Sequence, residues 1–111
     1  MKREKLSLNE LLERLKNKEL FTLSYRKPFT ILSVHTNGIE VKISTGSIRF
    51  IRIEELQWAL THLERRKSIT RKEIEMENYS PRNSAYVFAV LAEMPQVSYN
   101  RLADKLKLKE K

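Results

Sequence analysis

The stretch Ile43-Ser-Thr-Gly-Ser-Ile-Arg-Phe-Ile-Arg-Ile53 decides the fold of this chain, because the hydrophobic pattern changes its period there. Before it, apolar residues recur at every second position, as in strands; after it they recur at helical spacing. Thr45-Gly46-Ser47 predicts a tight turn, and residues 48–52 predict a basic strand that leads into an amphipathic helix. We therefore expect a sheet before Ile53 and helices after it.

The region from about 20 to 52 is predicted to form a four-stranded antiparallel meander. In its first strand, period two places Phe21, Leu23 and Tyr25 on one face. In the second strand the apolar phase slips between Ile31 and Leu32, which indicates a bulge or burial on both faces.

The strongest hairpin signal in the chain is Asn37-Gly38, which stands between two apolar runs. It predicts a type I′ turn, because both central residues of that turn need positive φ. The alternation over residues 39–43 then predicts a strand that buries its isoleucines and valine and points Glu40 and Lys42 the other way.

Several helix-start signals complete the pattern. Serine or threonine followed three residues later by glutamate is the signature of a capping box, and it occurs at Ser7…Glu10 and Thr70…Glu73. Ser80-Pro81 and Ser98 are further N-cap candidates. The expected helices cover about 7–17, 53–66, 70–78, 80–94 and 98–108. The sequence thus predicts one basic α+β domain over residues 1–111 (sheet about 20–52, helical part about 53–108). Its four-stranded meander has an N-terminal helix and a C-terminal bundle of three to four helices.

Composition excludes several classes of protein. The chain has no cysteine, which excludes a disulfide scaffold and fits a reducing compartment. No apolar run approaches the roughly 20 residues that a membrane span needs. The first ten residues are too acidic and contain too few apolar residues for a signal peptide, so we expect a cytoplasmic protein without membrane contact.

Catalytic and metal-binding patterns are weak. His35 and His62 lie on different predicted elements, and His62 is interpreted as a solvated helix position. Glu40-Val41-Lys42 is similar to the Glu-x-Lys of restriction-type nucleases, but the preceding strand supplies no second carboxylate for a Mg²⁺ ion. Asp104 is the sole aspartate. We expect no enzyme, no metal and no cofactor.

Positive charge is the main functional clue. The net charge is +8, with 22 Lys and Arg against 14 Asp and Glu, and the excess is spread evenly along the chain. A basic surface must therefore be assembled by folding, and nucleic acid is the partner that such a surface fits. The candidate binding residues lie near turns and helix ends: Arg26, Lys27, Arg49, Arg52, Trp58, Arg65, Arg66, Lys67, Arg71 and Lys72.

Each part of this set has a structural alternative. Arg49 and Arg52 are three apart, so they share a face only if the strand bulges at Phe50-Ile51. The cations at 65–67 also offset the negative end of a helix dipole. Trp58 either stacks on a base or packs under the apolar helix at 85–92.

The segment Ala85–Leu108 resembles the first two helices of a winged helix-turn-helix domain. An apolar helix ends at Met94-Pro95, and Ser98 then leads into the pattern Leu102-Ala-x-x-Leu106. The resemblance implies a helical pair that is functional or only scaffold. It carries over no reading residues, because the recognition helix of that pattern would lie beyond Lys111. The chain is also similar in kind to the DNA-recognition parts of bacterial defence and mobile-element proteins.

We therefore predict a non-enzymatic nucleic-acid-binding module that contacts phosphates through a basic face of the sheet and helices. Duplex DNA is favoured over RNA, because the exposed aromatic residues that single-strand binders use are few. The alternative is a protein-interaction or homodimerising accessory subunit whose charge serves solubility.

Overall fold

The computed structural model describes residues 7–23, 25–77 and 83–109. One helix precedes four consecutive strands, and three helices and three strands follow in the described residues. In order they are α1 (Leu8–Leu15), β1 (Glu19–Phe21), β2 (Pro28–His35), β3 (Gly38–Lys42), β4 (Ile48–Arg52), α2 (Ile53–Arg66), β5 (Ser68–Thr70), α3 (Arg71–Glu77), α4 (Ser84–Ala92), β6 (Val97–Asn100) and β7 (Lys105–Leu108).

The first four strands form an antiparallel sheet in the order β1-β2-β3-β4, which confirms the predicted meander. The pairing of β2 with β3 shifts register between Ile31 and Ser33, so the bulge expected there is confirmed. The turn before β4 is confirmed as well, since the Gly46 amide donates to the carbonyl oxygen of Ile43 at 2.9 Å. Gly46 has φ 93°, a value that glycine adopts without steric cost.

The hairpin at Asn37 lies where the sequence predicts it, but the type I′ turn is wrong. His35 pairs with Gly38, so the two loop residues are Thr36 and Asn37, and Asn37 does not have a positive φ. Gly38 is instead needed for space. A Cβ atom there would collide with the carbonyl oxygen of Ile51 and with the ring of Phe50 on β4.

The face predicted for the first strand is also wrong. Leu20 is buried on β1, whereas Phe21 and Tyr25 are exposed. The strand ends early because Thr22 closes a turn onto Lys27: the Thr22 amide donates to the Lys27 carbonyl, and the Lys27 amide donates to Thr22 Oγ1, both at 2.9 Å. The strand therefore ends after three residues, and the alternation of buried and exposed side chains ends with it.

The predicted C-terminal bundle of three to four helices is wrong, because a second sheet lies among the helices. It has three antiparallel strands in the order β5-β7-β6. The last helix, expected from Ser98, is replaced by the β6–β7 hairpin. Consequently the segment 85–108 does not contain the helical pair on which the winged helix-turn-helix resemblance was based.

Both capping boxes are confirmed, but the N-cap expected at Ser98 is wrong, because Ser98 lies within β6. Ser7 and Glu10 form a reciprocal capping box at the start of α1. Thr70 and Glu73 form a second one, with N–H···O distances of 2.8 and 3.1 Å. α4 is enclosed by the rest, as its apolar composition predicts. The start expected at Ser80-Pro81 lies outside the described residues.

Both sheets share one hydrophobic core. α2 contacts β3 and β4 of the first sheet and also β5 and β7 of the second. The same cluster of buried side chains contains Ile39 and Ile51 from the first sheet, Leu106 from the second and Val90 from α4. The outer face of each sheet therefore has a fixed orientation relative to the other.

Candidate nucleic-acid interface

The two arginines of β4 lie on opposite faces of the first sheet. β4 pairs with β3 in unbroken register, from Lys42–Ile48 to Gly38–Arg52, so no bulge brings Arg49 and Arg52 together. Arg49 is half-buried on the core side, with its guanidinium 5.9 Å from the centre of the Tyr86 ring. Arg52 is exposed at the N-cap of α2. At most one of the two can face a given ligand.

The turn between β1 and β2 lies beside the start of α3. Tyr25 and Arg71 line the same shallow depression, together with Phe88 of α4. Arg26 has a left-handed backbone, and its guanidinium lies 5.1 Å from the centre of the Phe21 ring. Arg71 lies 3.8 Å from Glu75. The first of these cations is therefore engaged with an aromatic ring and the second with a carboxylate, while Lys27 is exposed.

The remaining predicted cations flank β5, the edge strand of the second sheet. Arg65 and Arg66 end α2, and Lys67 follows as a C-cap with φ 69°. The Lys67 carbonyl accepts a 3.0 Å hydrogen bond from the amide of Leu108, which ties this end of α2 to β7. Lys72 lies at the other end of β5. The side chains of all four residues are exposed.

Trp58 is a weak candidate for stacking on a base. It is half-buried against the core, and its ring centre lies 5.0 Å from that of His62. The His62 side chain is only 17% exposed, with Nε2 buried and 3.6 Å from Glu73 Oε1, too long for a good hydrogen bond. The interpretation of His62 as a solvated position is therefore wrong.

A further basic surface, outside the set of predicted binding residues, lies on the second sheet. Directly opposed residues of an antiparallel sheet share a face. Two rows of opposed residues cross the second sheet: Ser68, Lys107 and Ser98 form one, and Thr70, Lys105 and Asn100 form the other. The six residues form what we call the lysine face: Ser68, Thr70, Ser98, Asn100, Lys105 and Lys107. Lys109 continues the same side, because its amide donates to the Gln96 carbonyl at 2.8 Å and so extends the ladder.

A signal for this surface is present in the sequence. Lys105-Leu106-Lys107-Leu108-Lys109 alternates with period two, and Val97-Ser98-Tyr99-Asn100 does the same. The helical interpretation instead rested on Leu102 and Leu106, which are four apart. Leu106 is fully buried, but Leu102 is 100% exposed at the hairpin tip, so the two do not form a helical stripe.

The electrostatics of the lysine face are one-sided. None of its six residues is acidic, and among the described residues no carboxylate forms an ion pair with Lys105, Lys107 or Lys109. Nearby Asp104 accepts a 2.7 Å hydrogen bond from the Tyr99 hydroxyl. Lys107 and Lys109 are exposed and Lys105 is half-buried, so the face presents cations to solvent.

Other chemistry has little support in the described parts of the chain. Ser33 Oγ lies 2.7 Å from Glu40 Oε1 and 3.0 Å from His35 Nε2 on the outer face of the first sheet. The carboxylate and the hydroxyl approach the same imidazole nitrogen, whereas a hydrolytic triad places them on different nitrogens. Within residues 7–23, 25–77 and 83–109, no three acidic or histidine side chains are arranged to hold a metal ion. No helix in those ranges is long and apolar enough to cross a membrane.

Comparison with known proteins adds no assignment. No family model, no curated protein and no solved structure matches the chain.

Proposed function

We propose that this protein is a non-enzymatic nucleic-acid-binding module that holds duplex DNA against the lysine face. Arg65, Arg66, Lys67 and Lys72 would lie at the margins of the contact. The observation that carries the proposal is a sheet face whose two lysines stand among hydroxyl and amide groups with no carboxylate on the face. Such a surface can neutralise phosphates and release their counterions.

The geometry of β7 suits a phosphate backbone. Residues two apart on a strand project to the same side about 7 Å apart, so Lys105, Lys107 and Lys109 form a row of cations. The hydroxyls of Ser68 and Ser98 and the amide of Asn100 can donate hydrogen bonds to phosphate or sugar oxygens. Contacts of this kind position a protein on DNA without reading its sequence.

Duplex is favoured over single-stranded nucleic acid because the lysine face has no aromatic residue. Tyr99, the aromatic residue of β6, belongs to the other face, where its ring packs edge-on against Phe88 with centroids 6.0 Å apart. Single-strand binders depend on exposed rings that stack with bases. A cytoplasmic location suits this role and the absence of cysteine, and we propose it on that ground.

The exposure of the elements near the second sheet supports a contact led by the β6–β7 hairpin. In this chain no described residue of α4 is exposed, so the side chains of that helix are not available to a groove. The hairpin is left as the accessible basic element.

The test is a salt titration of binding to a short duplex, followed by fluorescence anisotropy. Binding should weaken steeply between about 50 and 200 mM salt. Replacing Lys105, Lys107 and Lys109 by glutamate should raise Kd at least roughly tenfold and lower the salt slope by up to about 2.7.

A matched control replaces three exposed lysines elsewhere, Lys16, Lys18 and Lys42, by glutamate and gives the same net charge. It should bind within roughly threefold of the wild type, because only long-range attraction changes. Equal losses in the two triple variants, or salt-insensitive binding, would contradict the proposal.

A second candidate function is a homodimerising or protein-binding subunit. It is favoured by two exposed apolar residues on the outer face of edge strand β4, Ile48 at 60% and Phe50 at 41% exposure. Exposed apolar groups at a sheet edge are typical of association sites. Light scattering would show a dimer that Ile48→Lys disrupts; a monomer at all concentrations would leave this surface without support.

A further inference from the structure

We propose that Leu102, at the tip of the β6–β7 hairpin, is an apolar wedge that inserts between stacked base pairs and bends the duplex. The inference rests on the proposed function and adds a specific contact to it. Its substrate is duplex DNA at a step that unstacks easily. Its site is the tetrapeptide Arg101-Leu-Ala-Asp104, here named the hairpin tip.

The exposure of Leu102 is the first observation. Its side chain is 100% exposed, whereas the next most exposed large apolar side chains, Tyr25 and Met76, reach 73%. Turn tips are ordinarily built from glycine, proline and polar residues, so an apolar side chain at this position is uncommon. No side chain of the hairpin is more exposed than that of Leu102.

The second observation is that the hairpin tip is held in place. Asn100 Oδ1 accepts a 3.1 Å hydrogen bond from the Ala103 amide, and the Asp104 amide donates to the Arg101 carbonyl at 3.3 Å. Tyr99 donates its hydroxyl proton to Asp104 at 2.7 Å. Because the Tyr99 ring packs on Phe88 of the core, the tip is anchored to the body of the protein. A wedge that is already ordered loses little entropy on binding.

The third observation is the charge around the leucine. Arg101 precedes it, and Lys105, Lys107 and Lys109 follow on the same hairpin. Asp104, the one acidic residue of the hairpin tip, accepts a hydrogen bond from the Tyr99 hydroxyl. A duplex has an anionic surface over an apolar stack of bases, so it matches an apolar side chain flanked by Arg101 and the three lysines. Leucine is among the side chains that proteins insert between base steps, partially unstacking them and kinking the helix. Pyrimidine–purine steps such as TpA yield most easily.

The experiment compares Leu102→Ala with Met76→Ala, which removes another exposed apolar side chain. The probe is an alternating A·T duplex with 2-aminopurine at its TpA steps and a dye at each end. Wild-type protein and Met76→Ala should raise the 2-aminopurine fluorescence and shorten the end-to-end distance measured by energy transfer. Leu102→Ala should lose both signals and bind roughly threefold or more weakly, but keep the wild-type salt slope because no cation is removed.

The outcomes separate this inference from the proposed function. Duplex binding by the wild type without either optical change would overturn the wedge and leave the lysine face standing. Absence of duplex binding at low salt would overturn both. Vesicles of anionic phospholipid serve as the other probe: binding there that needs Leu102, with none of the optical changes on DNA, would assign the tip to a lipid surface and overturn the wedge.

Discussion

The two sheets of this protein differ in how they are assembled and in what their outer faces carry. In the first sheet, sequence neighbours pair through short turns, and the outer face mixes Glu40 with Lys42, Ser33 and His35. In the second, β5 pairs with β7 across α3 and α4, and the outer face carries lysine, serine, threonine and asparagine. A mixed face offsets its charges internally, whereas a face of one sign attracts anions. This difference is the reason for proposing the second sheet as the binding element.

The comparison also separates a cation packed on the core from those proposed to bind DNA. Arg49 of the first sheet lies against the Tyr86 ring on the core side, while Lys107 is exposed on the second sheet. If this division holds, substitutions at the two positions should have different effects on binding.

The largest effect on stability is expected from truncating a buried side chain at the centre of the second sheet. Leu106 is fully buried on β7, between Ile69 and Tyr99 of the neighbouring strands. Leu106→Ala should lower the free energy of unfolding by about 2–5 kcal/mol, through lost burial and a residual cavity. Because the two sheets share one core, urea unfolding monitored by circular dichroism and by Trp58 fluorescence should remain a single coincident transition. Two separate transitions would show that the sheets fold independently.

An intermediate effect is expected at Gly38, where two strands of the first sheet approach closely. Gly38→Ala should cost about 1–3 kcal/mol, because the new Cβ meets the Ile51 backbone oxygen, which cannot yield without displacing β4. Leu102→Ala, at the tip of the other hairpin, should change stability by less than about 0.5 kcal/mol. Thermal denaturation of both variants checks this contrast, and equal losses would contradict it.

The smallest effect is expected at Arg49. Arg49→Gln should alter Kd for duplex less than about twofold, because the guanidinium lies on the core side of the first sheet. Lys107→Gln removes the same charge from the lysine face and should lower the salt slope by about 0.9. Anisotropy titrations at several salt concentrations distinguish the two. A larger loss for Arg49→Gln would move the contact to the first sheet.

The sequence predicts the first sheet well because its pairings are local. The bulge between Ile31 and Ser33 and the turn at Gly46 each follow from a few adjacent residues. The three-residue strand β5 is too short to show a period, and its partner β7 lies beyond two helices. Leu102 and Leu106 then imitate a helical stripe. Prediction therefore fails at the strand pairing that depends on contacts distant in sequence.

The candidate site was predicted only in part, because it too depends on strand pairing between segments that are distant in sequence. Arg65, Arg66, Lys67 and Lys72 were found from their positions at helix ends, and they do flank β5. Lys105, Lys107 and Lys109 were assigned to a helix and a frayed end, although their spacing is that of a strand. The extended conformation of β7 places these lysines on one side, and its pairing with both neighbours makes that side part of an outer sheet face.

The most direct test of the lysine face is a map of backbone amide chemical shifts during titration with a short DNA duplex. Perturbed amides should cluster in residues 97–109 and at Ser68, and the changes should fade as salt is raised. Perturbations centred on Ile48, Phe50 and Lys42, or an unchanged spectrum at low salt, would contradict the central claim that the second sheet binds nucleic acid.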